Sequence, residues 1–261
     1  MRYITLSLVA LLTAGLSMPS AFARDYDEVR LGVDVPYEPF MYREADGTLT
    51  GFEIELGEAV CEHLDITCRW VEQAWDGIIP GLMARNYDAI MSSMAITDER
   101  AERVLFSEPY YTTPSAWITT RDHEIDINDK ESLAGLTVGV QRATLQDNYV
   151  SELYGDVLEI RRYTGVNDVI TDLRAGRLDL TFMDYPIAEA AIDIDTEESD
   201  FKRISDFIKK PDHIFGKGVG VAFRQRDEAL AEQFNEALRA LKENGTYDDI
   251  MNRYFSYDIK L

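Results

Sequence analysis

The sequence has few of the features that mark metalloproteins, enzymes and membrane proteins. Its three histidines, His63, His123 and His213, stand far apart and lack the spacing of metal ligands. It has no G-x-S-x-G, phosphate-loop or dinucleotide-binding motif. After residue 23, no apolar run approaches the roughly 18 residues that a membrane-spanning helix needs. We therefore expect no metal, no cofactor and no catalytic residues, and binding is the leading class of function.

Positive charge is also scarce. The chain has 26 lysines and arginines against 48 aspartates and glutamates, which gives a net charge of −22. A surface of this sign repels nucleic acid and anionic membranes, so we expect neither as a partner. It favours the approach of cationic solutes, but the acids are scattered along the chain, as on a solvated surface or in a protein adapted to salt.

The N-terminus has the pattern of a secretory signal peptide over residues 1–23. Arg2 supplies a positive start, residues 6–16 are apolar, and Ala21-Phe22-Ala23 is an A-x-A cleavage site. The apolar run is too short for a membrane anchor, and no cysteine follows the cleavage site to carry a lipid. We expect a mature chain that begins at Arg24 and is exported to a bacterial periplasm.

Apolar runs and amphipathic stretches alternate along the mature chain, which predicts an α/β fold with mainly parallel sheets. The first series has strands at 29–33, 67–71 and 88–91 and helices at 53–64 and 78–84. The second has strands at 136–140, 158–161 and 178–183, a helix from 145 and a helix at 166–175. A strand at 218–223 and helices at 228–243 and 247–255 follow.

The two series share a short internal similarity, in which a helix end leads through a turn into a strand. Asp88 in the first series corresponds to Asp179 in the second, and five residues further on stand Ser93 and Asp184. Ligands bind outside the carboxyl ends of strands in open α/β sheets. Two similar lobes would therefore present Ser93 and Asp184 to one cleft from opposite sides.

The richest local pattern follows the strand at 88–91. Ser92 and Ser93 stand where this strand ends, and Thr97 precedes two acids and Arg100 as the N-cap of a helix. Hydroxyl groups at a strand end beside a guanidinium at a helix N-terminus form a socket for a carboxylate. Taken singly, the same residues are also compatible with solvated serines and a surface arginine.

The segment 71–111, with its V-E-Q-A-W-D-G-I-I-P and S-S-M-A-I-T motifs, closely resembles periplasmic solute-binding proteins of polar amino acid ABC transporters. The lysine/arginine/ornithine- and histidine-binding proteins are the most similar members. The resemblance covers almost the whole mature chain, to the closing E-N-G-T-Y-D-D-I-M-N-R-Y-F. It implies a type II fold of two lobes, with 24–112 and 211–261 in lobe 1 and 113–210 in lobe 2. Two hinge crossings are expected, at 111–115 and 206–212.

The function that the resemblance implies is that of a monomeric receptor, which closes on a free amino acid and delivers it to a membrane ABC permease. Arg100 and Thr144 would hold the ligand carboxylate, and Asp184 would hold the ammonium group. On the residues alone, Thr144 and Asp184 serve equally well as helix caps. The full predicted ligand-binding set is Asp34, Tyr37, Glu53, Trp75, Ser92, Ser93, Arg100, Thr144 and Asp184.

The specificity implied is for a cationic side chain: arginine, lysine, ornithine or histidine. Tyr37 and Trp75 match rings around the ligand, and Asp34 matches an acid of the relatives that bind cations. Glu53 stands where these relatives usually have Asp, and Ala95 replaces a ligand-facing serine. Because Ala95 leaves extra room, an opine or another modified amino acid remains an alternative ligand.

Two other classes of protein are less compatible with the sequence. An enzyme similar to the cyclohexadienyl dehydratases would act on a substrate without an ammonium group, so Asp184 would be badly placed. A sensor domain would need a membrane-spanning helix in the same chain, which the sequence after residue 23 does not contain.

The two cysteines, Cys61 and Cys68, are expected to form a disulfide, because an exported chain enters an oxidising compartment. The bond would join the end of one helix to the start of the next strand. Related basic amino acid-binding proteins carry a cystine at this position, which supports a structural role.

Overall fold

The computed structural model describes residues 26–194 and 196–261. The predicted signal peptide lies outside these residues. The fold is α/β, with two five-stranded sheets that lie in separate lobes and are flanked by helices. Within the described ranges, no helix is long and apolar enough to cross a membrane.

The bounds of the elements follow the apolar patterns of the sequence. In the first lobe they are β1 (Glu28–Val33), β2 (Tyr42–Arg43), β3 (Leu49–Thr50), α1 (Phe52–His63), β4 (Thr67–Glu72), a 3₁₀ turn (Trp75–Gly77), α2 (Ile78–Met83), β5 (Ala89–Ile90), α3 (Asp98–Ala101) and β6 (Leu105–Phe106). In the second lobe they are β7 (Ser115–Thr120), β8 (Thr137–Gln141), α4 (Leu145–Tyr154), β9 (Glu159–Tyr163), α5 (Val166–Arg174), β10 (Leu180–Asp184), α6 (Tyr185–Ile192), β11 (Phe201–Arg203) and α7 (Asp212–Phe215). The chain then adds β12 (Ala222–Phe223), α8 (Glu228–Glu243) and α9 (Thr246–Tyr254) to the first lobe.

The first sheet has the strand order β4-β1-β5-β12-β6. Strand β1 pairs in parallel with β4 and β5, whereas β12 runs antiparallel to β5 and β6. Val29, Leu31 and Val33 of β1 are fully buried, in keeping with the position of this strand between β4 and β5 inside the sheet. Gly32 has no room for a side chain, because a Cβ there would lie 2.5 Å from the Tyr87 ring.

The second sheet has the order β11-β7-β10-β8-β9. Strand β8 pairs in parallel with β9 and β10, and β7 runs antiparallel to β10 and β11. Buried aromatic side chains, including Trp117 and Phe182, fill the core on the α4 side of this sheet. Both sheets thus direct the carboxyl ends of their parallel strands towards the space between the lobes.

The segments that cross between the lobes run side by side. Tyr111 bridges to Val219 and Lys260, and Ser115 bridges to Ile208 in the second lobe. The chain therefore passes from the first lobe to the second between Tyr111 and Ser115. On the return, Ile214 and Phe215 still pack into the core of the second lobe, whereas we predicted residues from 211 onward in the first lobe. The return to the first lobe lies just beyond Phe215, where Lys217 bonds to Ile96.

The disulfide between Cys61 and Cys68 is present, with the two Cα atoms 5.8 Å apart. It joins α1 to β4, as the sequence predicts. Cys61 is buried, and its neighbours Phe52, Leu56 and Val60 form the apolar face of α1 that packs on the first sheet. The bond therefore fixes this helix to the edge strand of the sheet.

Candidate functional site

A cavity lies between the two lobes, where strands of both sheets end; we call it the interlobe cavity. The first lobe lines it with residues that follow β1 and β5 and with the 3₁₀ turn and α3. The second lobe contributes the end of β8, the start of α4 and the end of β10. Its lining consists of Asp34, Tyr37, Trp75, Ser92, Ser93, Arg100, Gln141, Thr144, Leu145, Gln146 and Asp184. The structure thus brings together every residue of the predicted ligand-binding set except Glu53.

Arg100 presents a partly buried cation to the cavity. Its backbone N–H donates to the hydroxyl of Thr97 (3.3 Å), which caps α3 and fixes the position of the arginine. The guanidinium donates to the carbonyl of Ala95 (3.1 Å) and lies 5.2 Å from the centre of the Trp75 ring. Burial lowers the pKa of Arg100 to about 10, so it stays charged at neutral pH. No described carboxylate lies within salt-bridge distance, so the remaining donors are suited to an anion.

Asp184 presents a partly buried carboxylate to the same cavity from the second lobe. It occupies the N-cap position of α6, but its side chain accepts no capping hydrogen bond. It accepts instead from Tyr37 (2.6 Å), Gln146 (2.9 Å) and Ser115 (3.2 Å). Burial raises the pKa of Asp184, and these donors oppose the shift. The carboxylate is therefore held in place by side chains around the cavity rather than used as a helix cap.

Asp34 is a second acid of the cavity and follows strand β1. Its backbone N–H donates to Ser92 Oγ (2.9 Å), and its carboxylate accepts from Gln141 Nε2 (2.8 Å). Burial raises the pKa of Asp34 to about 6, despite the opposing bond from Gln141. The affinity of this carboxylate for a cation should therefore change within the physiological pH range.

We predicted that Glu53 contacts the ligand directly. In the structure it lies behind the cavity and not in its wall. Its carboxylate is fully buried and accepts from the backbone N–H of Ser93 (3.0 Å) and from the hydroxyls of Tyr110 and Tyr111. Its position in α1 explains this placement, because Glu53 shares one helix face with the buried residues Leu56 and Val60. That spacing was a signal in the sequence that Glu53 points inward.

Thr144 performs the ordinary N-cap role that the sequence left open. Its hydroxyl accepts from the backbone N–H of Asp147 (3.1 Å) and donates to the carbonyl of Gln141 (2.7 Å). The hydroxyl proton is thus already used. What α4 offers to the cavity is the set of N–H groups in its first turn, which lack partners within the helix and favour an anion.

The cavity is closed by bonds that run from one lobe to the other. Tyr37 donates to Asp184, Gln141 donates to Asp34, and Trp75 Nε1 donates to the carbonyl of Ala143 (2.9 Å). At the rim, an ion pair joins Arg142 to Asp76, with 3.5 Å between Nη1 and Oδ2. These contacts exist only when the lobes are close together.

Sequence reasoning missed three polar side chains of the site: Gln141, Gln146 and Ser115. Gln141 ends β8, and strand ends are where α/β proteins bind ligands, so extending the predicted strand 136–140 by one residue finds it. Gln146 is the second residue after the predicted N-cap Thr144. Ser115 had no comparable signal, because the antiparallel strand β7 that carries it was not predicted.

The site has the chemistry of a binding pocket for a charged solute. One space contains the cation Arg100 and the two acids Asp34 and Asp184. None of the three forms an ion pair with another described residue. The described part of the chain has no group of three or more histidine, cysteine, aspartate or glutamate side chains placed to hold a metal ion.

Comparison with known proteins places the chain in a family. The model of the bacterial extracellular solute-binding proteins, family 3, matches residues 29–257. The chain belongs to this family.

Individual members are similar over nearly their whole length. The L-arginine-binding protein of Pseudomonas aeruginosa is 39% identical over 253 residues, which are 97% of this chain and 96% of the relative. The lysine/arginine/ornithine-binding periplasmic protein of Escherichia coli is 35% identical over 256 residues, 97% of this chain and 98% of the relative. Among solved structures, an ancestral arginine-binding protein bound to arginine superposes with a TM-score of 0.80 at 28% identity, covering 88% of this chain and 99% of that one.

Proposed function

We propose that this family 3 solute-binding protein is a periplasmic receptor for a cationic amino acid, which it binds in the interlobe cavity and delivers to an ABC permease. One observation carries the proposal: the partly buried guanidinium of Arg100 and the partly buried carboxylate of Asp184 line the same cavity, and neither is paired with an ion of the described chain. A free α-amino acid carries the two complementary charges on two groups attached to the same carbon atom. Burying the ligand thus supplies the partners that these groups lack.

The charges of the cavity favour a cationic side chain. Asp34 adds a second carboxylate to the first lobe, and the Tyr37 and Trp75 rings supply faces for an aliphatic stem or a guanidinium. When the ligand carboxylate pairs with Arg100, Asp34 and Asp184 can each pair with one positive group of the ligand. Arginine, lysine, ornithine and histidine fit this count, whereas the side chain of glutamate would face like charge. The names of the relatives point to the same class of ligand.

Delivery follows from the way the cavity is built. Each lobe contributes part of the ligand shell, so a ligand that contacts both lobes stabilises the closed form over the open form. The permease would then recognise the closed arrangement of the lobes. The periplasmic location rests on the names of the relatives and on the predicted signal peptide.

A thermal-shift screen of the purified mature protein against the common amino acids tests the proposal. A ligand at 100 times its Kd stabilises the folded state by about 2.7 kcal/mol. Arginine, lysine, ornithine or histidine should raise Tm, and glutamate should not. The Arg100→Ala variant should show no shift with any of them. An equal shift with glutamine or glutamate in the unaltered protein would overturn the cationic specificity.

A modified amino acid is a second candidate, and one observation favours it. A further cavity of about 240 Å³ adjoins the first one and shares Trp75, Arg100 and Leu145 with it. It extends to Arg103, whose guanidinium suits an additional carboxylate. An opine carries such a carboxylate on the carboxyalkyl group attached to its amino nitrogen. Octopine should therefore be included in the screen, and a larger shift with octopine than with arginine would select this candidate.

A further inference from the structure

Gln141, the last residue of β8, presents a side-chain amide whose orientation is fixed. Its Nε2 group donates to Asp34 Oδ2 (2.8 Å) and to the backbone carbonyl of Thr164 (3.1 Å). A glutamine amide has a donor end and an acceptor end, whereas a backbone carbonyl can only accept. The nitrogen must therefore face Thr164, whether Asp34 is ionised or protonated. These two bonds use both N–H groups of the amide.

The amide is anchored within the second lobe. Strands β8 and β9 pair in parallel, with Gln141 opposite Tyr163, and Thr164 follows β9 directly. The bond to Thr164 therefore does not depend on closure of the lobes, whereas the bond to Asp34 forms only when the lobes are close together. Only 7% of Gln141 is exposed, so its surroundings restrict rotation of the amide.

The carbonyl oxygen of the amide, Oε1, has no such partner. No N–H or O–H group in the part of the chain that the structure describes donates to it. It is also not sealed in the interior, because the described side-chain atoms that are both buried and unpartnered are Trp117 Nε1, His123 Nδ1 and Arg203 Nε. Gln141 forms part of the wall of the interlobe cavity. Its unused acceptor is therefore available to a ligand in that cavity.

The position of Oε1 beside Asp34 decides which ligand group it suits. Oε1 and Nε2 are attached to the same carbon atom, and Nε2 contacts the Asp34 carboxylate, so one ligand group can reach both Oε1 and Asp34. An ammonium group has three N–H donors and a guanidinium has five. Those that point away from Asp34 need another acceptor once they are removed from water. A methyl group has no donor to offer here, and a carboxylate would face a lone pair.

We propose that Gln141 is a specificity-determining residue, whose fixed amide oxygen accepts a hydrogen bond from the side-chain cation of the ligand next to Asp34. The inference rests on the proposed function and deepens it. The cation is held by an acid of the first lobe and an amide of the second, so the side chain of the ligand favours the closed form directly. Asp34 selects for positive charge, and Gln141 selects for an N–H donor at the same place.

The test uses ornithine and norleucine, which differ only in that a methyl group of norleucine replaces the terminal ammonium group of ornithine. Calorimetry measures ornithine directly and norleucine by competition with ornithine. Gln141→Leu removes the amide and keeps a side chain of similar size. We expect it to weaken ornithine roughly tenfold or more relative to norleucine, the value of one hydrogen bond to a charged group.

The matched control is Gln225→Leu. Gln225 also donates to a backbone carbonyl, that of Glu102, but it is exposed and does not line the cavity. This variant should leave both affinities within about twofold. Circular dichroism and Tm show whether each variant is folded. Gln141→Met, which also lacks the amide, takes the place of Gln141→Leu if that variant does not fold.

The Asp34→Asn background separates a direct contact from an effect through Asp34. The bond from Gln141 lowers the pKa of Asp34, so its loss by itself reduces the charge that ornithine meets. The Asp34→Asn side chain carries no charge and still offers an oxygen to Nε2, which keeps the Gln141 amide oriented. In this background Gln141→Leu should lower the ratio of ornithine to norleucine affinity by a similar factor.

Equal weakening of ornithine and norleucine by Gln141→Leu would show that Gln141 only joins the lobes, and would overturn the inference. A ratio that no longer changes in the Asp34→Asn background would also overturn it, because Gln141 would then act through Asp34 alone. Failure of the proposed function gives a different result. The unaltered protein would then bind ornithine no better than norleucine, and the role of Gln141 would fall with the function.

Discussion

Arg100 and Asp184 show how single residues create affinity here. Both groups are charges partly removed from water, which costs free energy. A hydrogen bond to an uncharged partner, such as the one from Arg100 to the Ala95 carbonyl, offsets that cost only in part. Both groups are held by partners of their own lobe, with the N-cap Thr97 fixing Arg100 and with Gln146 and Ser115 fixing Asp184. These bonds do not depend on closure of the lobes, so the two side chains need little reorganisation when a ligand binds, which favours affinity.

Replacing Arg100 with Ala should remove the main anchor of the ligand carboxylate. The loss of a partner from a desolvated ion pair costs roughly 3–5 kcal/mol, or a factor of about 10² to 10³ or more in affinity. Calorimetry with arginine measures it. Arg69→Ala is the control, since Arg69 is exposed on β4 and should leave the affinity unchanged. An Arg100→Ala variant that binds within threefold of the unaltered protein would exclude this role.

The affinity for arginine should depend on pH through Asp34. Its pKa of about 6 in the folded protein means that the carboxylate must release a proton before it can pair with a cation at lower pH. One proton released per ligand gives an affinity that falls roughly tenfold from pH 7 to pH 5. Asp34→Asn should bind more weakly at pH 7 but with a flat profile over this range. A profile that is equally steep in the variant would assign the titration to another group.

The same group gives a stability effect of defined sign. The pKa of Asp34 is higher in the folded chain than its ordinary value of 3.8, so the folded state binds the proton more tightly. The tighter proton binding therefore stabilises the ligand-free folded protein at low pH. The free energy of unfolding loses this stabilisation as the pH rises from about 4 to about 6. Asp34→Asn removes the burial cost of the charged form and should raise Tm at pH 7.

At the scale of elements, the parallel strands and helices were predictable because their apolar patterns are long. The predicted helix at 228–243 agrees with α8 at both ends, and the helix at 166–175 is one residue longer than α5. The antiparallel strands were not predictable in the same way. β12 occupies only the last two residues of the predicted strand 218–223. β6 has two residues, too few for any periodicity, and β7 is almost wholly buried, so its residues do not alternate. Ser115 was missed together with β7.

The disulfide between α1 and β4 should contribute to stability and not to binding. It closes a short loop, for which the chain-entropy model gives roughly 2.5 kcal/mol. The double variant Cys61→Ser, Cys68→Ser should therefore unfold about 5–10 °C lower, as measured by calorimetry. Its affinity for arginine at 25 °C should stay within twofold, since neither cysteine lines the cavity. A Tm unchanged by the double substitution would show that the loop is held by packing alone.

At the scale of the molecule, the two-lobed arrangement and the shared cavity were predictable from the echo between the two halves of the chain and from the family resemblance. Ser93 and Asp184, which that echo paired, do line one cavity. The bonds that cross between the lobes were not predictable. They join residues far apart in sequence, such as Asp34 and Gln141, and their partners depend on the angle at which the lobes meet. The same dependence makes the later of the two crossings harder to place than the first.

The ion pair between Arg142 and Asp76 belongs to this last scale, because it exists only when the lobes are together. Both side chains are partly exposed, at 46% and 37%, so the pair is worth at most about 1 kcal/mol. Arg142→Ala should therefore weaken arginine two- to fivefold at low salt, through the closed form and without a contact to the ligand. The effect should shrink in 0.5 M NaCl, because salt screens exposed charges.

The matched control is Arg239→Ala, which removes an exposed ion pair with Glu232 inside α8 of the first lobe. That variant should leave the affinity unchanged at both salt concentrations. Small-angle scattering should show the Arg142→Ala variant closing to the same radius of gyration at saturating arginine, since only the equilibrium between open and closed forms is shifted. Equal loss in both variants would mean that the effect is one of net charge and not of closure.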